Sequence, residues 1–120
     1  MIGMTLRLSD TPASGYNYQP GDCWYAKKAG GRWTWFGAEN WPVSVVRDLP
    51  EGKRPAIVVL PNGRLFCVHS PTMRGGKAQG HGWTVTGELP TITVRPSINY
   101  APGTVDAWHG FITDGEMRSV

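Results

Sequence analysis

The fold is decided by the stretch from Gly82 to Glu116, which reads GWTVTGELPTITVRPSINYAPGTVDAWHGFITDGE. Two runs rich in β-branched residues flank a four-residue turn within 83–95, a pattern that predicts an antiparallel hairpin. A second hairpin is predicted over 108–120, because Asp114-Gly115 is a preferred two-residue hairpin turn. A Pro-Ser-Ile-Asn turn over 96–99 is expected to join these two hairpins.

A third hairpin is predicted just upstream, where Ala56–Leu60 and Leu65–His69 flank the turn dipeptide Asn62-Gly63. The three C-terminal hairpins predict a mostly β fold, either an antiparallel sheet or a small open barrel. At most one short helix is expected, over Asn40–Leu49, where Asn40 is a candidate N-cap and Pro50 stops the helix.

The rest of the chain adds shorter strand signals and two loops. Alternation of polar and apolar residues predicts a first strand at Thr5–Leu8, and further strands are predicted at Cys23–Ala26 and Arg32–Phe36. Proline, tyrosine and glycine residues predict a loop over Thr11–Gly21. The glycine-rich segment Ser70–Gly80 is predicted to be the longest irregular loop and the most mobile one.

Composition bounds the class of protein. A chain of 120 residues is expected to form one domain over 1–120, and its 16 glycines and 10 prolines favour many turns. The net charge of +3 comes from scattered basic residues, which do not form a dense nucleic-acid-binding tract. Two cysteines do not indicate a disulfide framework. The sequence shows neither a signal-peptide core nor a membrane span, so we expect a cytoplasmic protein.

An aromatic cluster is the first candidate site. Six aromatic side chains fall between residues 24 and 41, close to basic residues. Such a group is typical of an anchor for a protein partner or of a stacking platform for bases. The alternative interpretation is that half of these rings build the core of a domain with few leucines. The candidate binding residues, two of which come from the 70–81 region, are Trp24, Tyr25, Arg32, Trp33, Trp35, Trp41, Arg74 and His81.

Two residue pairs form a second candidate, a metal site. Cys67 and His69 are two apart on a predicted strand, so their side chains leave the same face, and Asp106 and His109 precede the last hairpin. Together they offer the sulfur, nitrogen and oxygen donors of a tetrahedral zinc site. The alternative is a core cysteine, a polar strand end and a turn aspartate. No catalytic residue is predicted, because the sequence contains no nucleophile elbow or glycine-framed carboxylate pair.

Three motifs in the C-terminal third resemble a small uncharacterised family of bacterial and phage proteins. The motifs are WTVT at 83–86, ITVRPSIN at 92–99 and HGFITDGE at 109–116. Members of that family typically read W-x-L, then S-L-x-P-S-I-G, and finally C-x-x-H-[FY]-x-I-x-x-G-x-[IV]. Some members are encoded beside ubiquitin-like, E1-like and E2-like proteins.

The resemblance also implies a zinc site, because the family carries a C-x-C-G-C element and the later C-x-x-H. Carried over to this chain, the first element falls near Cys67 and His69, and the second becomes Asp106 and His109. Only Cys67 and His109 keep their residue types, so the chain resembles a cysteine-poor phage version of the family.

We therefore expect a small phage-type accessory protein that binds a protein partner and occludes a host protein with aromatic anchors and basic rim residues. One alternative is a zinc-stabilised or zinc-dependent domain that uses Cys67, His69, Asp106 and His109. Another alternative is a single-stranded nucleic-acid binder. Neither catalytic activity nor a membrane partner is expected, and zinc is the one cofactor that the motifs suggest.

Overall fold

The computed structural model describes residues 3–12, 18–29, 32–36, 52–69, 72–74, 77–79 and 83–120. All regular elements in these residues are strands, so the predicted mostly β class is confirmed. This part of the chain has no helix that could span a membrane. The predicted helix over Asn40–Leu49 lies outside the described residues.

The strands are β1 (Met4–Thr5), β2 (Arg7–Leu8), β3 (Asp22–Tyr25), β4 (Lys27–Ala29), β5 (Arg32–Thr34), β6 (Ala56–Val59), β7 (Leu65–Cys67), β8 (Thr72–Arg74), β9 (Lys77–Gln79), β10 (Thr84–Thr86), β11 (Thr93–Tyr100), β12 (Trp108–Thr113) and β13 (Glu116–Ser119).

Nine of these strands form two sheets. A five-stranded antiparallel sheet has the order β1-β13-β12-β11-β10. A four-stranded sheet has the order β2-β3-β6-β7, and its β2–β3 pair is parallel. The remaining strands form two ribbons, β4–β5 and β8–β9. All three predicted hairpins are confirmed, but the β6–β7 hairpin belongs to a different sheet from the other two.

The segment from Met4 to Leu8 joins the two sheets. Its first half, β1, pairs with β13 of the five-stranded sheet, and its second half, β2, pairs with β3 of the four-stranded sheet. Leu6, between them, is buried and donates its backbone N–H to the carbonyl of Gly115. One continuous strand was predicted here; the structure has two because the chain crosses from one sheet to the other at Leu6.

The opposite edges of the two sheets, β7 and β10, pair with no further strand in the described residues, so the two sheets do not close into a barrel. Side-chain contacts span the space between these two edges. The rings of Phe66 on β7 and Trp83 beside β10 pack edge to face, with their centroids 5.0 Å apart. Polar contacts add to it, because Arg64 pairs with Asp106 at 3.0 Å. The two sheets are therefore connected at both pairs of edges, by the Met4–Leu8 segment at one pair and by side-chain contacts at the other.

Both sheets turn one face toward a shared core. In the five-stranded sheet, alternation of inward apolar residues supplies its half of this core, as expected for an antiparallel sheet with one solvated face. Its buried side chains from the five-stranded sheet and its turns are Leu89, Ile92, Val94, Ile98, Trp108, Ile112 and Met117. Those from the four-stranded sheet and its connections are Leu6, Cys23, Ala56, Val58, Leu60, Phe66 and Val68.

A second apolar cluster covers the other face of the four-stranded sheet. It contains Trp24, Phe36, Ile57, Val59 and Cys67, with Tyr18, Trp35 and Leu65 packed against them. Strand β6 is therefore buried on both faces, which explains its uninterrupted apolar sequence. We call this group the second core.

The Asp114-Gly115 turn has the backbone that its sequence predicts. Both residues adopt positive φ, 47° for Asp114 and 79° for Gly115, as a type I′ turn requires. Thr93 supports the turn from β11, because its hydroxyl accepts a hydrogen bond from the backbone N–H of Asp114 at 3.0 Å. The turn therefore fixes the register of β12 against β13.

Two predictions about irregular segments are wrong. The Pro-Ser-Ile-Asn segment over 96–99 lies inside β11, where a bulge shifts the register between Val94 and Ile98, and both of these residues stay buried. The turn follows later, between β11 and β12. The segment Ser70–Gly80, predicted to be irregular, contains the β8–β9 ribbon.

Candidate functional site

The outward surface of the five-stranded sheet carries the candidate site. Along β12 the burial alternates: Trp108, Gly110 and Ile112 are buried, whereas His109, Phe111 and Thr113 are exposed. Phe111 lies on the central strand and keeps 47% of its surface exposed. Aromatic residues of this kind are enriched among the residues that dominate protein interfaces.

Charged side chains surround Phe111 on both neighbouring strands. Arg118 lies directly opposite Phe111 on β13 and forms an ion pair with Glu116, which lies opposite Thr113. On the other side, the bulge in β11 brings exposed Arg95 into the region opposite Phe111. We call this surface the Phe111 face, and define it by Arg95, His109, Phe111, Thr113, Glu116 and Arg118.

A shallow depression of about 540 Å³ lies on the Phe111 face. Its lining comes from β12, the following turn and β13, and consists of Phe111, Thr113, Asp114, Glu116 and Arg118. Because Arg118 and Glu116 form an ion pair, the basic and acidic groups of the depression lie in contact with each other. The depression therefore presents an aromatic ring beside charges of both signs, which can pair with polar side chains of a protein partner.

A serine–histidine pair lies beside the depression. Nε2 of His109 is 3.0 Å from the hydroxyl of Ser97, which is hydrogen-bond distance. Nucleophilic catalysis also needs a group that orients the histidine and donors that stabilise an oxyanion. The described residues provide no further hydrogen bond to the His109 ring, so the orienting partner of a catalytic triad is absent from this part of the chain.

The predicted aromatic site is divided between the core and the surface. Trp24 is fully buried in the second core, and its indole donates a hydrogen bond to the carbonyl of Trp35 at 2.7 Å. Trp33 is partly exposed, with the ammonium of Lys28 5.3 Å from its ring. Trp24 therefore packs in the core and not on the surface, because its strand β3 is covered on both faces. Of the other predicted residues, Arg32 lies in β5, Arg74 lies in β8, and Trp41 and His81 lie outside the described residues.

Trp35 packs against the second core and is partly buried. Its indole nitrogen is inaccessible and has no hydrogen-bond partner among the described residues. The packing of the Trp35 ring against the second core gives this side chain a structural role.

Tyr25 ties the two sheets together. Its hydroxyl donates to Glu88 at 2.7 Å and accepts from the backbone N–H of Leu89 at 2.9 Å. Lys53 pairs with the same Glu88 carboxylate, and the guanidinium of Arg54 lies 5.6 Å from the Tyr25 ring. Burial, followed by the hydrogen bond to Glu88, raises the pKa of Tyr25. Tyr25 therefore stabilises the contact between the two sheets, a role that the sequence did not indicate.

We expect Tyr25→Phe to lower the free energy of unfolding by about 1–2 kcal/mol at neutral pH, because the buried Leu89 amide loses its acceptor. The raised pKa of Tyr25 stabilises the folded state below the unfolded tyrosine pKa of about 10, and this contribution is lost as the pH rises through the folded value. The difference between wild type and Tyr25→Phe should therefore shrink in urea unfolding at alkaline pH. Tyr100→Phe is the matched control, since its hydroxyl makes no hydrogen bond with the described residues, and an equal loss in both variants would contradict this role.

The four predicted zinc ligands do not come together. Cys67 belongs to the second core, whereas His109 faces outward from the other sheet, so both sheets and the shared core separate them. Stacked sheets are about 10 Å apart, which exceeds the span of one zinc site. His69 accepts a hydrogen bond from the backbone N–H of Ala56, and Asp106 pairs with Arg64. No group of three or more potential ligands that could hold a metal ion occurs in the described ranges.

We expect a chelator to leave the melting temperature unchanged. A structural zinc contributes about 10–16 kcal/mol, so its removal would unfold a domain of this size. The measurement is elemental analysis of the purified protein, followed by thermal unfolding with and without EDTA. Stoichiometric zinc together with a lowered melting temperature would contradict the separation of the four residues.

Cys23 does not have the environment of a reactive thiol. Cys23 and Cys67 are both buried, and neither forms a disulfide. Burial, reinforced by the charge of Asp22, raises the pKa of Cys23 to about 12. Since the thiolate is the nucleophilic form, Cys23 acts as a small core residue.

Comparisons with protein-family models, curated proteins and solved structures found no match for this chain. The resemblance of its C-terminal third to a bacterial and phage family therefore stays a prediction. The candidate site rests on the geometry of the Phe111 face alone.

Sequence reasoning missed Phe111, although the signal was present. The run Trp108-His109-Gly110-Phe111-Ile112-Thr113 alternates, and Trp108 and Ile112 identify the core-facing set. Phe111 then falls on the opposite, solvent-facing set.

Proposed function

We propose that this chain is a protein-binding module and that the Phe111 face is its contact surface. The observation that carries the proposal is the exposure of Phe111 on the central strand, with Arg118 directly opposite. A central aromatic residue with a neighbouring arginine and a polar rim is the composition of an interface hot spot.

The charges of the face favour a protein over a nucleic acid as its partner. Arg95 and Arg118 are balanced by Asp114 and Glu116 on or beside the same surface. A nucleic-acid platform depends on surplus positive charge to displace counterions from phosphates. A charge-balanced surface with an exposed ring matches a folded protein surface of mixed polarity.

The resemblance adds a narrower hypothesis about the partner. A phage-type accessory protein acts on proteins of its host, so the partner would be a bacterial protein whose own contact surface the module occludes. The aromatic residues between 24 and 41 contribute less than expected, because Trp24 is buried and Trp35 packs against the second core. In this proposal, Phe111 is the aromatic side chain that inserts into a pocket of the partner.

The test is quantitative affinity capture from a bacterial lysate with three baits: wild type, Phe111→Ala and Leu8→Ala. Leu8 is the matched control, because it is 52% exposed but lies on β2 of the other sheet. We expect a specific protein to be retained by wild type and Leu8→Ala, and to be reduced about tenfold or more on Phe111→Ala.

Three outcomes would contradict the proposal. The first is a captured protein that Phe111→Ala retains as well as wild type does. The second is that no protein is enriched on wild type over Phe111→Ala. The third is binding of a fluorescent oligo-dT probe that falls steeply with salt and is lost in Phe111→Ala, which would assign the face to single-stranded nucleic acid.

A further inference from the structure

We propose that Asn62 is a site of spontaneous deamidation, and that the contact between the two sheets controls when it reacts. Asn62 lies in the β6–β7 turn of the four-stranded sheet and contacts the β11–β12 connection of the five-stranded sheet. The proposal does not involve the Phe111 face, so it is independent of the proposed function. It identifies a chemical modification that separates one sheet edge from the other.

The Asn62-Gly63 dipeptide has the chemistry that this reaction needs. Asparagine is thermolabile, and glycine has no Cβ atom to obstruct attack by its backbone nitrogen. Solvent hydroxide removes the proton of the Gly63 N–H, and the nitrogen then attacks Cγ of Asn62. The N–Cγ bond forms, the Cγ–Nδ2 bond breaks, and the leaving nitrogen takes a proton from water and departs as ammonia. Water then opens the cyclic imide to give aspartate or isoaspartate at position 62.

Hydrogen bonds occupy all of the reacting groups in the folded protein. The Gly63 N–H, which supplies the nucleophile, donates to the carbonyl of Leu60 at 2.8 Å. The side-chain oxygen of Asn62 accepts from the backbone N–H of Arg64 at 2.9 Å, and its Nδ2 donates to the backbone carbonyl of Asp106. Deprotonation of the nucleophile and departure of Nδ2 as ammonia each break one of these bonds. The reaction therefore proceeds from a locally opened state.

The contact with Asp106 makes this opened state a separation of the two sheets. Asp106 accepts from Asn62 through its backbone carbonyl and pairs with Arg64 through its carboxylate at 3.0 Å. After deamidation, position 62 has no amide donor, and a negatively charged oxygen takes its place beside the Asp106 carbonyl. An attractive contact becomes a repulsive one, so the edge that had to open for the reaction cannot close again.

The first test measures deamidation of the full chain, folded and in urea, at neutral pH. Mass spectrometry of the proteolytic peptide that contains Asn62 follows the loss of the amide, and an isoaspartate methyltransferase assay detects the second product. We expect the reaction to be at least about tenfold slower in the folded chain, because only the opened population reacts.

Asp106→Ala tests whether the sheet contact controls the rate. This variant removes the ion pair with Arg64 but leaves the sequence around Asn62 unchanged. We expect about two- to fivefold faster deamidation in the folded variant and an unchanged rate in urea. Asp10→Ala is the matched control, since Asp10 is exposed and forms no ion pair with the described residues. Circular dichroism establishes that each variant is folded before incubation.

Asn62→Asp tests the effect of the modification on the fold. We expect it to lower the melting temperature by about 4 °C or more. Asn99→Asp is the control, because it makes the same chemical change at an exposed position of β11. The Asn99 side chain makes no hydrogen bond with the described residues, so this control should melt close to wild type.

Each measurement has an outcome that would overturn the proposal. No reaction at Asn62 in urea would remove the site, and equal rates in the folded and unfolded chain would remove its control by the fold. An unchanged rate in Asp106→Ala, or an Asn62→Asp variant as stable as Asn99→Asp, would remove the link to the sheet contact. None of these results bears on capture by the Phe111 face, because the β6–β7 turn belongs to the other sheet.

Discussion

Trp24→Ala is expected to lower the free energy of unfolding by about 3–5 kcal/mol, the range typical of removing a large aromatic side chain from a core. Trp24 has no exposed surface, and its ring lies 5.8 Å from that of Tyr18 and 6.1 Å from that of Phe36. The substitution also leaves the carbonyl of Trp35 without the indole donor. The second core would thus lose both packing and a hydrogen bond.

Urea unfolding followed by circular dichroism measures this loss, with Trp33→Ala as the matched control. Trp33 lies on the β4–β5 ribbon and is partly exposed, so its truncation should cost about 1 kcal/mol or less. If Trp24→Ala is no more destabilising than Trp33→Ala, Trp24 does not have the core role that its burial indicates.

Gly110→Ala is expected to cost about 3 kcal/mol, the upper end of the usual range for overpacking. A Cβ atom on Gly110 would point into the core and clash with the backbone carbonyl of Arg118 and with the ring of Trp108. Neither obstacle can move easily, because Arg118 is held in the β12–β13 ladder and Trp108 is buried. Relief of the clash therefore requires separation of the two strands.

Gly3→Ala is the control for this second prediction. A Cβ atom there would also be crowded, at 2.8 Å, but by the end of the flexible Glu116 side chain. That side chain can turn aside, so we expect a loss of less than about 1 kcal/mol. Thermal unfolding of both variants makes the comparison, and equal melting temperatures would show that the β12–β13 ladder can adjust.

The local parts of the fold were predictable because turn chemistry is local. Asp114-Gly115 and Asn62-Gly63 both lie in connections between paired strands, since Asn, Asp and Gly tolerate the positive φ of hairpin turns. The partner of each hairpin was not predictable in the same way. Alternation shows which side of a strand is buried, but it does not say which sheet the strand joins.

The segment over 96–99 shows where local reasoning stops. Proline, serine and asparagine are typical turn residues, yet here they lie in a bulged strand whose course is set by pairing with β12. The buried positions of Val94 and Ile98 on either side of the bulge depend on that pairing. Such a contact with a distant strand leaves no signal in the segment itself.

The same limit applies to the candidate sites. Aromatic density between 24 and 41 is equally compatible with core and surface, and the choice depends on what covers β3. The spacing of Cys67 and His69 predicted a common strand, but β7 ends at Cys67 and His69 lies in the turn that follows. That spacing also carries no information about where Asp106 and His109 lie. Phe111 was accessible to sequence reasoning, because its exposure follows from alternation along one strand.

The crossing of Met4–Leu8 between the sheets has a consequence for the order of folding. Thr5 pairs with Glu116, about 110 residues further along the chain, so β1 has no place to dock until β13 has left the ribosome. The parallel β2–β3 pair can form much earlier. Long-range pairings of this kind raise contact order and slow folding toward the millisecond-to-second range. In a nascent chain, β2 can therefore pair with β3 while β1 stays unpaired until β13 has been synthesised.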